Sequence, residues 1–170
     1  MGEACGCDGS GVVPGDVRDG IFSDNDRAAR HNRERFAEHG VLAIHLMGSP
    51  GSGKTALVEA TARALAGRMR IRAVTGDPAT HRDAERLDAA GVPSVSVTTG
   101  AACHLDAEMV HRALHHVPLR GLHCLFIENV GSLACPAAWD LGQTAGVVAL
   151  SVTEGEDKPE KYPVLFTGCR

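Results

Sequence analysis

One octapeptide in the first third of the chain combines glycines, a lysine and a threonine at a spacing that suits phosphate binding. Residues 48–55 fit the pattern G-x-x-x-x-G-K-[ST], between an apolar stretch and a run of good helix formers. Glycines let the backbone N–H groups turn toward phosphate oxygens, and the positive end of the following helix adds to the anion field. We expect Lys54 to reach the outer phosphates and Thr55 to place its hydroxyl on Mg²⁺. The predicted phosphate-binding residues are Gly48, Ser49, Pro50, Gly51, Ser52, Gly53, Lys54 and Thr55.

Two acidic residues stand where predicted strands end. Glu128 follows the apolar residues of F-I-E-N-V-G, at the end of the predicted strand 123–127. Asp77 lies at the end of the predicted strand 71–75. Because the carboxyl ends of parallel strands share one edge, both carboxylates should face the phosphate loop. We predict that both residues contribute to the Mg²⁺ shell, that Asp77 can also activate water, and that Lys54, Asp77 and Glu128 form the catalytic set. Gly131 would offer its backbone N–H to the γ-phosphate, and Asp83 falls on the following helix, where a solvated face is the competing interpretation.

A second group of residues has the donor atoms of a transition-metal site. Cys103 and His104 follow one predicted strand, and Cys135 lies seven residues after Glu128. Two thiolates and an imidazole suit Zn²⁺ or Ni²⁺, although small buried thiols that only fill space are the competing interpretation. Adjacent Cys103 and His104 would supply only part of a shell, which a second protomer meeting this edge could complete. This favours a metal-bridged homodimer.

The loop from Glu128 to Cys135 links the two predicted sites. One end would sense the γ-phosphate through Gly131, and the other would hold a metal through Cys135. A two-state loop biased by both ligands is the minimum requirement for coupling between sites. A weaker candidate metal pair, Cys5 and Cys7, lies in a C-G-C stretch near the beginning of the chain.

Strand-like and helix-like segments alternate after Gly40 and predict an α/β fold with a mostly parallel sheet covered by helices on both faces. We divide the chain into a flexible, cysteine-containing tail (1–20), an N-terminal helix region (21–40, helical from about Asp24 to His39) and a nucleotide-binding domain (41–170). The predicted strands are 41–47, 71–75, 92–97, 123–127 and 146–152. The predicted helices of the domain are 54–66, 82–90, 105–117 and a short one at 137–141.

Composition excludes several classes of function. The net charge is −4 and aromatic residues make up 4% of the chain, so a nucleic-acid partner is not expected. The sequence has no run of 18 apolar residues and no secretory signal, so we expect no membrane association and a cytoplasmic location with reduced cysteines.

Five stretches together carry a resemblance to a known family. IHLMGSPGSGKTALVE, GDPATHRDAERL, TTGAACHLDAEMVHRAL, FIENVGSLACPAAWDLG and VVALSVTEGEDKPEKYPVLF resemble the hydrogenase nickel-incorporation GTPases called HypB and, more distantly, the urease nickel GTPases. The resemblance covers most of the chain, from about Gly40 to Phe166. It implies a P-loop GTPase fold, with GTP, Mg²⁺ and Ni²⁺ or Zn²⁺ as ligands.

The resemblance also implies a function and partners. Such proteins couple GTP hydrolysis and GTP-linked dimerisation to nickel delivery into [NiFe]-hydrogenase, so the hydrogenase large subunit and a small nickel-binding accessory protein are expected partners. By motif position, Lys54 and Thr55 would bind phosphate and Mg²⁺, and Glu128 and Gly131 would form the γ-phosphate switch. Cys103, His104 and Cys135 would form a nickel or zinc site near the dimer interface.

Two departures from the family pattern leave alternatives open. Some members begin with C-x-x-C-G-C, whereas here Gly2 stands where the first cysteine would be. The chain also has no N-K-x-D, the motif that reads guanine, and looks truncated, without the family's last strand and helix. Guanine selectivity therefore rests on the resemblance alone. The alternative functions are an inactive metal-binding module and, less favoured, a small-molecule kinase, for which no basic lid segment is present.

Overall fold

The computed structural model describes residues 15–133 and 135–167, so Cys5 and Cys7 of the predicted tail lie outside the described residues. A five-stranded sheet has the order β3-β2-β4-β1-β5, and every neighbouring pair is parallel. The strands are β1 Leu42–Met47, β2 Ile71–Asp77, β3 Ser94–Thr98, β4 Cys124–Glu128 and β5 Ala145–Val148. The α-helices are α1 Gly15–His39, α2 Lys54–Ala64, α3 Arg82–Ala89, α4 Ala107–Ala113, α5 Lys158–Lys161 and α6 Pro163–Thr167. Short 3-10 turns span Pro136–Ala138 and Val152–Glu154.

Side chains of the central strands alternate between two hydrophobic clusters, one on each face of the sheet. In β4, Leu125 and Ile127 belong to the cluster under α1 and α4, whereas Cys124 and Phe126 belong to the cluster under α2 and α3. This period of two is what a strand buried on both faces requires. The predicted α/β class, with a mostly parallel sheet and helices on both faces, is confirmed.

Three of the boundaries that differ from the predicted ones do so for identifiable reasons. Helix α1 begins at Gly15 rather than near Asp24, and the Phe22 ring packs against Trp139 with ring centres 5.2 Å apart, a contact invisible in local sequence. Helix α4 ends at Ala113, where tighter turns lead into the stretch before Pro118, a position that disfavours helix. Strand β5 stops at Val148 because Ser151 and Glu154 form a capping box that begins a 3-10 turn.

All five strands are parallel, so the loops that follow them emerge on one edge of the sheet. These loops carry the phosphate-binding motif after β1, Asp77 at the end of β2, the Cys103–His104 pair after β3 and the segment 128–135 after β4. The edge therefore gathers every predicted site residue of the described chain. Among the helices of residues 15–133 and 135–167, none combines the length and apolar character that crossing a membrane would need.

Candidate functional site

A cavity of about 450 Å³ opens at this edge, between the loop after β1 and the ends of β2 and β4. The residues that line it include Lys54, Thr55, Asp77, Asp83 and Glu128. Lys54, Thr55 and Glu128 are all buried despite their polarity. Buried polar groups of this kind are costly unless they are paired, so their concentration around one cavity marks it as a built site.

The loop before α2 is closed around its own lysine. Lys54 Nζ donates hydrogen bonds to the carbonyl oxygens of Gly48, at 3.0 Å, and Ser49, at 3.1 Å. Burial lowers the pKa of Lys54, although Glu128 and Asp83 act in the opposite direction. Gly48 has φ 149°, and a Cβ there would lie 2.4 Å from the carbonyl oxygen of Ala149, so the close approach of this turn to the end of β5 requires glycine.

Thr55, Asp83 and Glu128 converge in an arrangement that suits a divalent cation. The Thr55 hydroxyl oxygen lies 3.0 Å from Asp83 Oδ1 and 2.8 Å from Glu128 Oε1, yet a hydroxyl can donate to only one acceptor at a time. Glu128 Oε2 is buried and has no hydrogen-bond partner. Burial raises the pKa of Glu128 to about 7. Hard oxygen ligands with an unpaired carboxylate oxygen match the donor set that Mg²⁺ takes, so the residues fit that ion.

Asp77 lines the same cavity, but its carboxylate is hydrogen-bonded to the backbone of the loop that follows β2. Its Oδ1 accepts hydrogen bonds from the backbone N–H groups of Ala79 and Thr80. Burial acts to raise the pKa of Asp77, but these donors outweigh it and hold the pKa below its usual range. The described contacts of Thr55 run to Asp83 and Glu128 rather than to Asp77, so the Mg²⁺ role of Asp77 remains a prediction and Asp83 becomes the stronger candidate.

The segment after β4 packs directly on the phosphate-binding loop. A Cβ on Gly131 would lie 2.8 Å from Pro50 Cγ and 3.0 Å from Pro50 N, so only glycine allows this approach. Ser132 forms a β-bridge with Gly48 two positions before Pro50. Movement in one loop must therefore displace the other.

The same segment ends at a three-residue cluster of metal-binding atoms. One ligand atom each from Cys103, His104 and Cys135 lie within 4.8 Å of one another, the one group of three or more such atoms among the described residues. Cys103 is exposed, while His104 and Cys135 are half-buried. A hydrogen bond with Cys135 raises the pKa of Cys103, and burial lowers the pKa of His104. With metal–ligand distances of about 2.1–2.3 Å, a small contraction would bring the three atoms to one ion.

Sequence reasoning misses the contributions of four residues near the site. Besides Asp83, Glu154 Oε2 accepts a hydrogen bond from Ser49 Oγ at 2.6 Å, and the Trp139 ring stacks on His104 with ring centres 4.5 Å apart. Asn129 is buried beside Glu128 and bonds to residues of two other segments. The sequence signal for Asp83 is its position six residues after Asp77. The roles of Glu154, Trp139 and Asn129 depend on contacts between segments far apart in sequence.

Comparison with known proteins places these features in one family context. Residues 42–153 match the family described as CobW/HypB/UreG, nucleotide-binding domain. The chain is 48% identical over 153 residues to the hydrogenase maturation factor HypB of Rhizobium leguminosarum bv. viciae, covering 90% of this chain and 51% of that protein. It is 43% identical over 151 residues to the probable hydrogenase maturation factor HypB of Methanocaldococcus jannaschii, covering 89% and 68%.

A solved structure shares the fold. The crystal structure of HypB from Helicobacter pylori in complex with nickel has a TM-score of 0.82 and 41% identity, covering 86% of this chain and 69% of that one. Apart from shorter relatives such as the archaeal one, the chain spans about half the length of the curated relatives it matches.

Proposed function

Because this chain belongs to the HypB members of the CobW/HypB/UreG nucleotide-binding family, we propose that it is a nickel metallochaperone GTPase acting in [NiFe]-hydrogenase maturation. It binds and hydrolyses GTP at the cavity above β1 and β4, and carries Ni²⁺ as cargo at Cys103, His104 and Cys135. The hydrogenase large subunit receives the metal, and a small nickel-binding accessory protein takes part in the transfer.

The observation that carries this proposal is the continuity of residues 128–135. Glu128 reaches the Thr55 hydroxyl, Gly131 contacts Pro50, and Cys135 stands in the metal cluster. One short segment thus contacts the nucleotide cavity at its beginning and the metal cluster at its end, which gives a shift at the nucleotide end a direct route to the metal end.

The chemistry at the cavity follows from the residues that line it. Lys54, whose ammonium now donates to the loop carbonyls, would instead donate hydrogen bonds to phosphate oxygens. The loop N–H groups would hold the β-phosphate. Thr55, Asp83 and Glu128 would hold Mg²⁺, and the ion would supply positive charge beside the phosphoryl oxygens. Asp77, which also lines the cavity, would position the attacking water.

The metal cluster suits transient binding. Three ligands of one protomer leave a coordination position for a donor or acceptor, and the exposure of Cys103 leaves a path to it. Zn²⁺ can occupy the same ligands, since thiolate and imidazole suit both ions.

Titration with fluorescent GTP and ATP analogues plus Mg²⁺ tests the proposal. Lys54→Ala should weaken GTP binding by at least about 100-fold, because a buried ammonium that meets phosphate is lost. Lys161→Ala is the matched control, since Lys161 pairs with Asp157 on an exposed helix, and it should bind as the unaltered chain does.

Three outcomes of that titration are informative. GTP-selective binding that depends on Lys54 supports the proposed GTPase. Equal binding of ATP and GTP would contradict guanine selectivity. No binding of either nucleotide, with the metal cluster intact, would favour the inactive metal-binding module.

A further inference from the structure

Asn129 lies at the junction of three segments that the proposed function requires to act together. Its side chain is 1% exposed and follows Glu128 directly at the end of β4. Its Oδ1 accepts hydrogen bonds from the backbone N–H groups of Leu105, at 2.8 Å, and Val130, at 2.9 Å. Its Nδ2 lies 2.7 Å from His45 Nε2, in the central strand β1.

The direction of these bonds is determined by the partners. Two backbone N–H groups can only donate, so the oxygen of the carboxamide must face them and the nitrogen must face His45. Because Nδ2 can only donate, His45 Nε2 is the acceptor. Burial supports this assignment, since it lowers the pKa of His45 to about 4 and keeps the ring neutral near pH 7.

Each partner of Asn129 belongs to a different part of the site. Leu105 follows His104 of the metal cluster, and its side chain fills the space above Gly76, where a Cβ would lie 2.6 Å from Leu105 Cγ. Val130 precedes Gly131, which contacts Pro50 of the phosphate-binding loop. His45 belongs to the strand that leads into that loop.

Building on the proposed function, we propose that Asn129 is the positioning residue that couples the nucleotide cavity to the metal cluster. When nucleotide shifts Val130 and Gly131, the Asn129 oxygen moves with them. The Leu105 N–H is buried and would be left without an acceptor, so the His104–Leu105 backbone follows. This second connection complements the covalent one through Cys135, because it moves Cys103 and His104 as well.

The test is a measurement of linkage. The Kd for Ni²⁺ is determined with and without a non-hydrolysable GTP analogue plus Mg²⁺, for the unaltered chain and for Asn129→Ala. We expect the analogue to change the Ni²⁺ Kd of the unaltered chain by about 5–150-fold. In Asn129→Ala that ratio should fall to within about 2-fold of one, with each ligand alone bound within a few-fold of its original affinity.

Asn25→Ala is the matched control. Asn25 is also buried, accepts a hydrogen bond from the Ala107 N–H at 2.9 Å and donates to the Asp140 carbonyl at 2.9 Å. Its bond to Ala107 anchors the start of helix α4, two residues after Leu105, and neither of these hydrogen bonds runs to residues 128–131, so its variant should keep the full ratio. A ratio in Asn129→Ala that matches the unaltered chain, or loss of the ratio in both variants, would overturn the proposal.

A second measurement needs no substitution and covers the case in which Asn129→Ala does not fold. Hydrogen exchange of the unaltered chain should show that the GTP analogue changes protection at 103–106 as well as at 129–133. Protection that changes only at 129–133 would overturn the role of Asn129 while leaving the proposed function standing. Failure of the unaltered chain to bind the analogue would overturn both, and binding of both ligands without linkage would overturn the coupling.

Discussion

His45 shows how burial determines the charge of a single residue. It is 1% exposed in β1, and burial lowers its pKa to about 4, although the charge of Asp140 acts in the opposite direction. A neutral ring is what the bond from Asn129 needs. Because the pKa of His45 differs between the folded and the unfolded chain, the free energy of unfolding depends on pH.

We therefore predict an acid-sensitive contribution to folding. Below pH 6.5 the unfolded chain protonates His45 whereas the folded chain does not, so the stabilisation present above pH 6.5 is lost as pH falls toward about 4. The loss should approach about 1.4 kcal/mol per pH unit. Chemical denaturation at several pH values measures it, and His45→Gln, which keeps an acceptor but cannot take a proton, should lack this slope.

The difference in unfolding free energy between the unaltered chain and His45→Gln isolates the contribution of His45 from those of other titrating groups. The pKa of Glu128 is raised to about 7, so its contribution runs the other way and weakens folding as pH rises from about 4.5 to 7. That contribution is common to both proteins and cancels in their difference. Parallel pH profiles for the two proteins would contradict the assignment of His45 as buried and neutral.

At the scale of elements, the segment from Glu128 to Cys135 and the loop before α2 pack as one unit. Gly131 against Pro50 and Ser132 against Gly48 are the two contacts that join them. Neither loop has a long side chain at these contacts. The spacing between the loops is therefore set by backbone and the rigid Pro50 ring, which makes it sensitive to one added methyl group.

Gly131→Ala tests that sensitivity. The new Cβ would lie 2.8–3.0 Å from the Pro50 ring and backbone, so the two loops must separate. We expect GTP turnover, measured as phosphate release, to fall at least about 10-fold, with about 1–3 kcal/mol lost from the free energy of unfolding.

Gly20→Ala provides the comparison for this variant. Gly20 lies in α1 with nothing within 4 Å of an added Cβ. The substitution should raise the free energy of unfolding by about 0.5–1 kcal/mol and leave turnover unchanged. Full turnover in Gly131→Ala would show that the loops do not need their close contact.

At the scale of the whole molecule, the metal cluster lies at the edge of the sheet where the parallel strands end. One protomer contributes three ligand atoms, and Cys103 is exposed. We propose a homodimer that shares metal at this edge, with residues 41–170 as the nucleotide-binding unit and residues 21–40, whose Phe36 packs into the core, as the helical region that precedes it.

Cys135→Ala is the variant that tests this arrangement. We expect bound Ni²⁺ or Zn²⁺ per chain to fall at least about 10-fold, because two ligands cannot hold the ion as three do. Metal-dependent dimerisation, measured by light scattering after gel filtration, should disappear while GTP binding remains.

Cys124→Ala is the control thiol variant. Cys124 is buried in β4, the strand between β2 and β1, and burial raises its pKa to about 11. The variant should therefore lose stability but keep the bound metal and the dimer. A Cys135→Ala chain that still dimerises with metal would contradict the shared site.

The amino-acid sequence by itself determined the order of the elements and the α/β class. The signals were local: the spacing of apolar residues, with periods of 2 and 3.6, and the glycine-rich loop with its final lysine and threonine. Such patterns depend on residues only a few positions apart. For the same reason it predicted that Cys103, His104 and Cys135 share an edge, and the structure brings their ligand atoms within 4.8 Å of one another.

Tertiary structure alone decided the strand order β3-β2-β4-β1-β5, the meeting of Asp83 with Thr55 and the two bonds that Asn129 makes to Leu105 and His45. Asp83 lies 28 residues from Thr55, and Asn129 lies 84 residues from His45. A side chain's own neighbours in sequence carry no information about such partners. They are selected by packing, since a buried polar atom is tolerated only where the fold brings it an acceptor or a donor.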